Sequence, residues 1–146
     1  MNVEVSPPVP AEHALLVAVW RRAVEATHHF LSPADVDWYE ERVAAHLDQA
    51  DDVLVARAPD GTPLGFAGGS DGRIDMLFVD PEVHGQGVGT RLLEALAAGH
   101  EEVHVDVNEG NESGRRFYAA KGFVQVGRSA LDDDGRPFPI LHLRRG

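Results

Sequence analysis

The 146-residue chain has no cysteine. That excludes a disulfide framework, a cysteine-ligated zinc site and a thiol nucleophile, and it leads us to expect a reducing, cytoplasmic setting. Positive charge is also scarce: 13 Lys and Arg stand against 24 Asp and Glu, for a net charge of −11. A nucleic-acid partner is therefore not expected, and a cationic or neutral ligand suits the chain better than an anionic one. No run of 18 apolar residues occurs, so no membrane span is expected. The N-terminus lacks a basic-then-apolar signal segment. Repeats and low-complexity tracts are missing. So are a Walker A loop and a G-x-G-x-x-G dinucleotide fingerprint. No trio among the 8 histidines shows metal-ligand spacing, and no metal is expected. What is present is ordinary for a globular protein: 43% hydrophobic and 25% charged residues, in a length that suits one domain over residues 1–146.

The most informative stretch runs from Arg73 to Arg91. Ile74 to Val79 is apolar and β-prone apart from Asp75, and it reads as a strand buried on both faces. Asp80-Pro81 stops it. Gly85, Gly87 and Gly89 follow at every second position. Then Val88, Leu92, Leu93 and Leu96 mark a helix beginning near Gly87. A strand, a glycine loop and a helix N-terminus together suit a phosphate group, because free N–H groups point outward and the helix dipole favours an anion.

Elsewhere the pattern predicts a short strand at Val3–Val5, and a helix from Ala11 to about Thr27 with a broad apolar face that includes Leu15 and leaves His28 inward and His29 outward. A second helix starts at Ser32-Pro33-x-Asp35 with a buried stripe of Val36, Tyr39, Val43, Leu47 and Ala50. Val53–Ala58 and Leu64–Gly68 form a hairpin. Val103, Val105 and Val107 alternate with His104, Asp106 and Asn108 along a strand with unlike faces. A short helix over Gly114–Lys121 and strands at Phe123–Val126 and about Phe138–Leu143 complete the chain. The order is β-α-α-β-β-β-α-β-α-β-β, a mixed α/β sheet with helices on both faces. The strands on either side of the glycine loop and its helix are parallel. Asp75 is expected to share a face with Leu77 and Val79, and His104 and Asp106 a face with Asn108. His13, His46, His100 and His142 read as surface or structural residues.

Two motifs carry a resemblance. Val79-x-Pro81 followed by Gly87-x-Gly89-x-x-Leu92-Leu93 resembles the acetyl-CoA loop of the GCN5-related N-acetyltransferase (GNAT) family, with His84 where Gln or Arg is usual. The segment from Asn108 through Asn111, Gly114, Phe117 and Tyr118 to Gly122-Phe123 resembles that family's Asn-x-x-Ala-x-x-Phe-Tyr-x-x-x-Gly-Phe pattern, with Gly114 for alanine. Trp20-Arg-x-Ala-Val-Glu-Ala-Thr27-His28-x-Phe30-Leu31, and Gly127-Arg128 through Gly135-x-Pro137-x-Pro139, are similar to its YjaB-like bacterial branch.

The resemblance implies a central pair of parallel strands that splay apart, and acetyl transfer from acetyl-CoA to a primary amine by direct attack in a ternary complex. The acceptor would be a small molecule or a peptide. A CoA-binding sensor or partner module without transferase activity is the alternative. It further implies that backbone N–H groups from Gln86 to Thr90, with His84, Gly85, Gly87, Val88 and Gly89 in the loop, hold the pyrophosphate. Leu77, Phe78 and Val79 would bond the pantetheine as a missing strand would. Asn108, Asn111, Ser113 and Phe117 would line the other wall. Tyr118 would protonate the departing thiolate. For the base, His28 has a suitable intrinsic pKa and ranks first, Asp75 on the central strand ranks second, His104 and Asp106 on the neighbouring strand could line the same gap, and a water chain would also serve. A monomer and a homodimer are both compatible with the sequence.

Overall fold

The computed structural model describes residues 2–49 and 52–146. Ala50, the last residue of the expected second-helix stripe, lies outside them. Seven strands form one mixed sheet: β1 (Glu4–Ser6), β2 (Val53–Arg57), β3 (Pro63–Ser70), β4 (Arg73–Val79), β5 (Val103–Asn108), β6 (Val124–Ser129) and β7 (Ile140–Arg145). Their order across the sheet is β1-β2-β3-β4-β5-β7-β6, with β4 and β5 parallel and every other pair antiparallel. Four helices cover it: α1 (His13–Thr27), α2 (Pro33–Gln49), α3 (Val88–Ala97) and α4 (Glu112–Ala120).

The helices divide between the faces according to their apolar stripes. Leu16, Val19, Trp20 and Val24 of α1, with Val36 and Leu47 of α2, pack on Val53, Val55 and Phe66. Leu15 does not join them; it is exposed, because the buried arc of α1 is narrower than the sequence suggests. On the opposite face, Leu93 and Ala97 of α3 and Tyr118 of α4 meet Val103, Val105, Val107, Leu141 and Leu143. Leu92 and Leu93 are fully buried, and each such leucine removed from water is worth about 1.5–3 kcal/mol. The final strands start later than the sequence implies. Gly122, with φ 91°, and the buried Phe123 form the turn into β6. Phe138 precedes β7 and stacks on Phe30 and Tyr39 instead of joining a ladder.

Two irregularities shape the centre. β4 pairs with β5 only at Arg73–His104 and Ile74–Val105, after which the strands part. From Asp75 onward β4 therefore has no strand partner on that side. β4 is accordingly not buried on both faces as its apolar run suggests; Met76 to Val79 are half-buried along the opening. Second, the β3–β4 register slips: Gly68 faces Met76 but Gly69 faces Ile74, leaving Asp75 as the extra residue of a bulge. The slip re-phases the strand. Leu77 and Val79 pack toward α3, and Met76 and Phe78 toward α1 and α2. Asp75, unpaired in the bulge, is thus out of step with the regular alternation that would set it beside Leu77 and Val79.

The bulge depends on Gly69, where a Cβ would collide with the Arg73 carbonyl. Gly69→Ala is expected to cost about 1–3 kcal/mol of stability, seen as a lower urea midpoint with an unchanged m-value.

Candidate active site

Where β4 and β5 part, a cleft of about 760 Å³ opens through the sheet. One wall is the end of β4 and the start of α3. The other is the end of β5 and the start of α4. The α1–α2 connection and the β6–β7 loop close over it.

The start of α3 presents free backbone N–H groups to the cleft. A 3-10 turn at Pro81–Val83 follows β4, and Asp80 caps it by accepting from the Glu82 N–H at 3.1 Å. Asp80 is also held by Arg22 of α1 at 2.7 Å, which ties the loop to the other face of the sheet. Gly85 (φ 78°) and Gly87 (φ 85°) take left-handed backbone. Open space lies above both. Gly87 caps α3 with no side-chain hydrogen bond. The N–H groups of Gly87, Val88, Gly89 and Thr90 find no acceptor among the described residues, which leaves them for a ligand. Gln86 departs from expectation: its N–H bonds the Val83 carbonyl at 3.3 Å, and it does not line the cleft. His84, Gly85 and Thr90 do line it. Gly89 is small for a different reason, since a Cβ there would stand 3.3 Å from the Phe117 ring. Phe117 thereby packs the two helix starts together.

Leu77, Phe78 and Val79 border the cleft along the unpaired edge of β4, facing Asn108, Asn111 and Ser113. Asn111 is the N-cap of α4, its side chain accepting from the Gly114 N–H at 3.0 Å. Tyr118 is 6% exposed, between Phe117 and Phe123 at ring distances of 5.2 and 5.4 Å. Its hydroxyl makes no hydrogen bond among the described residues, and the side chain borders the cleft. Burial raises its pKa well above the ordinary tyrosine value, so the phenol keeps its proton.

The two sequence candidates for the base fare differently from expectation. His28 does face inward, at the C-cap of α1, 8% exposed against Phe30. Its Nδ1 lies 2.7 Å from Thr27 Oγ1, whose hydroxyl donates to the Ala23 carbonyl at 2.8 Å. One hydroxyl proton cannot serve both, so Nδ1 carries the hydrogen and Nε2 keeps its lone pair. Burial, with a smaller contribution from His29, pushes its pKa down to about 4. His28 is therefore not the near-neutral histidine its residue type implies, but a ring that stays uncharged. Asp75 reaches the cleft from the bulge, with Arg73 at 3.5 Å.

Of the two β5 residues expected able to line the gap, only one does. Asp106 lines the cleft, but His104 does not; it pairs with Glu102 at 2.6 Å. The β6–β7 loop contributes Asp132, Asp133, Asp134 and Phe138. It is fastened to α2 by Tyr39–Asp132, by Arg42–Asp134 at 2.6 Å and by Arg136–Asp35 at 2.6 Å. The Asp-Asp-Asp-Gly run signals a turn, and nothing in it signals a long-range partner. Among the described residues, no group of three His, Asp or Glu side chains is placed to hold a metal.

An acetyltransferase (GNAT) domain matches residues 17–139. The chain belongs to the GNAT family. It is 41% identical over 128 residues to the peptidyl-lysine N-acetyltransferase YjaB of Salmonella typhimurium, covering 88% of each chain. The Escherichia coli protein of the same name is 42% identical over 128 residues, covering 88% of this chain and 86% of the other. The solution structure of apo-form YjaB from Escherichia coli superposes with a TM-score of 0.93 at 39% identity, covering 99% of this chain and 97% of that one. The protein is thus a YjaB-like N-acetyltransferase with acetyl-CoA as its cosubstrate. The free N–H groups at Gly87–Thr90 and the unpaired edge of β4 are features that cosubstrate can use. No helix among the described residues is long and apolar enough to cross a membrane.

A buried neutral histidine leaves a signature in stability. The His28 pKa is about 6.5 in the unfolded chain and about 4 in the fold, so the unfolded state binds more protons between these values. Folding is unaffected above pH 6.5 and weakens as pH falls toward 4, by up to about 3 kcal/mol. His28→Gln should flatten that slope in urea titrations run at successive pH values, and the wild-type ring should titrate near 4 by NMR.

Proposed function

We propose that the protein, acting as one catalytic domain, transfers the acetyl group of acetyl-CoA to the side-chain amine of a lysine in a peptide or protein. The observation that carries this reading is the charge of the cleft. Among the described residues, five aspartates line it, Asp75, Asp106, Asp132, Asp133 and Asp134, and Lys121 is its single Lys or Arg. Such a mouth draws in an ammonium and repels an anion. The relatives named peptidyl-lysine N-acetyltransferases support the same class of acceptor.

The assignments follow from position. The N–H groups of Gly87, Val88, Gly89 and Thr90 hold the pyrophosphate at the α3 dipole, with His84 and Gly85 at its rim. The edge Leu77–Val79 bonds the pantetheine arm, and Asn108, Asn111 and Ser113 face it from β5 and α4. Phe117 fixes the two helix starts relative to each other. Acetyl-CoA supplies a thioester whose carbon an amine can attack; the protein's contribution is position and proton handling. Tyr118, protonated and without a competing partner, donates to the departing sulfur. His28, uncharged and with Nε2 free, accepts a hydrogen bond from the acceptor and does not need to become imidazolium.

Acetyl-CoA binds the folded state and should raise the thermal midpoint of wild type and of Tyr118→Phe alike. Thiol release with an N-terminally acetylated, single-lysine peptide should fall about 100-fold or more in Tyr118→Phe. An unchanged rate would remove Tyr118 from the proton-donor role. A missing thermal shift in wild type would remove the assigned cosubstrate cradle.

A further inference from the structure

The sheet face opposite α3 and α4 carries a polar chain outside the cosubstrate site. Val103, Val105 and Val107 of β5 and Leu141 and Leu143 of β7 point into the core, so Asp106 and His142 point the other way. Asp106 and His142 are directly opposite across the β5–β7 ladder. Asp106 Oδ1 is 2.7 Å from His142 Nδ1, and Oδ2 accepts from Arg73 Nη2 at 2.8 Å. His142 Nε2 is 2.7 Å from Ser129 Oγ on β6. A carboxylate only accepts, so Nδ1 carries a hydrogen and donates to Asp106, while the other ring nitrogen meets the Ser129 hydroxyl. Three strands thus combine to fix one carboxylate.

The position of that carboxylate matters. Ile74–Val105 is the last pair before β4 and β5 separate. Asp106 is the next residue of β5, and it lines the cleft with its side chain 18% exposed. Asp75 is the next residue of β4. One Arg73 serves both carboxylates at the apex of the fork.

We infer that Asp106 is a catalytic residue: it seats the acceptor ammonium at the fork and takes the proton that the nitrogen must lose to form the C–N bond, with His142, Ser129 and Arg73 as positioning residues. This rests on the acetyl-transfer reading and adds the base to it. In that step the ammonium gives one proton to Asp106, the freed nitrogen lone pair forms the C–N bond with the acyl carbon and the C–S bond breaks; Tyr118 protonates the departing sulfur and regains a proton from the nitrogen, which loses its second proton on becoming the amide. The choice between Asp106 and His28 follows from charge. Moving a proton from ammonium to carboxylate removes two charges from a partly desolvated site. Moving it to His28 leaves a cation on a buried ring, where desolvation disfavours charge. The titratable and charged groups around Asp106 are Arg73 and Asp75 from β4, His142 and Arg144 from β7, His104 on its own strand, and His28 across the cleft.

The test compares wild type, Asp106→Asn, Asp106→Glu and His142→Ala on an N-terminally acetylated single-lysine peptide, by thiol release from pH 6.5 to 10, with the acetyl-CoA thermal shift measured for each. Asp106→Asn should lose about 100-fold in kcat/KM at pH 7.5 and keep the full thermal shift. The deficit should narrow as pH approaches the free-amine pKa of about 10.4, because the amine then arrives already deprotonated. Asp106→Glu should retain more activity than Asp106→Asn. His142→Ala should lose about 10-fold with the thermal shift intact. Activity of Asp106→Asn within threefold of wild type, or a loss equal at every pH, overturns the inference while leaving the acetyl-transfer reading standing. A wild type that binds acetyl-CoA but acetylates no lysine peptide overturns both.

Discussion

Two parallel strands that begin a ladder and then abandon it leave backbone groups without partners, and such groups are costly unless something else bonds them. β4 and β5 do this after two residue pairs. The rest of the molecule makes that parting permanent and useful. Antiparallel β1–β2–β3 holds β4 from one side, and antiparallel β7–β6 holds β5 from the other. The two half-sheets stay rigid while the seam between them opens. Phe117 against Gly89 and Arg22 against Asp80 fix how far apart the walls stand. The unpaired edge is then a template for a ligand that can act as a strand.

The two faces of the seam have different chemistry. On the α3–α4 side, free N–H groups and a helix dipole suit a polyanion. On the other side, aspartates from the bulge of β4, the end of β5 and the β6–β7 loop suit a cation. In a protein of net charge −11, backbone dipoles can offer an anion a site without basic side chains. The buried Tyr118 and His28 follow the same logic. Desolvation keeps both neutral, and each is then a hydrogen-bonding group whose protonation is insensitive to pH over the working range.

Much of this was legible beforehand where the signal is local. Glycine spacing followed by a Leu-Leu helix located the loop and the start of α3, and Asn111 through Phe123 located α4 and its tyrosine. Alternation along Val103–Val107 gave the two faces of β5. The order of elements along the chain also emerged, since each element has its own period. The mistakes were equally physical. Asp75 was placed by simple alternation, which a one-residue bulge defeats. Gln86 was counted as a free donor, but a turn too short to show in any period engages its N–H. His28 was given an unperturbed basicity, because residue type does not report burial.

The sequence by itself determined the elements, their order along the chain and the place of the glycine loop before α3, because helix period, strand period, glycine and proline act over a few residues. Only the tertiary structure decided that β4 and β5 separate after Ile74 and Val105, that the 130–139 loop is fastened to α2, and that Asp106, His142, Arg73 and Ser129 meet. Those contacts join residues 13 to 101 positions apart. No local pattern encodes them; they arise from strand pairing and side-chain packing once the whole sheet has closed.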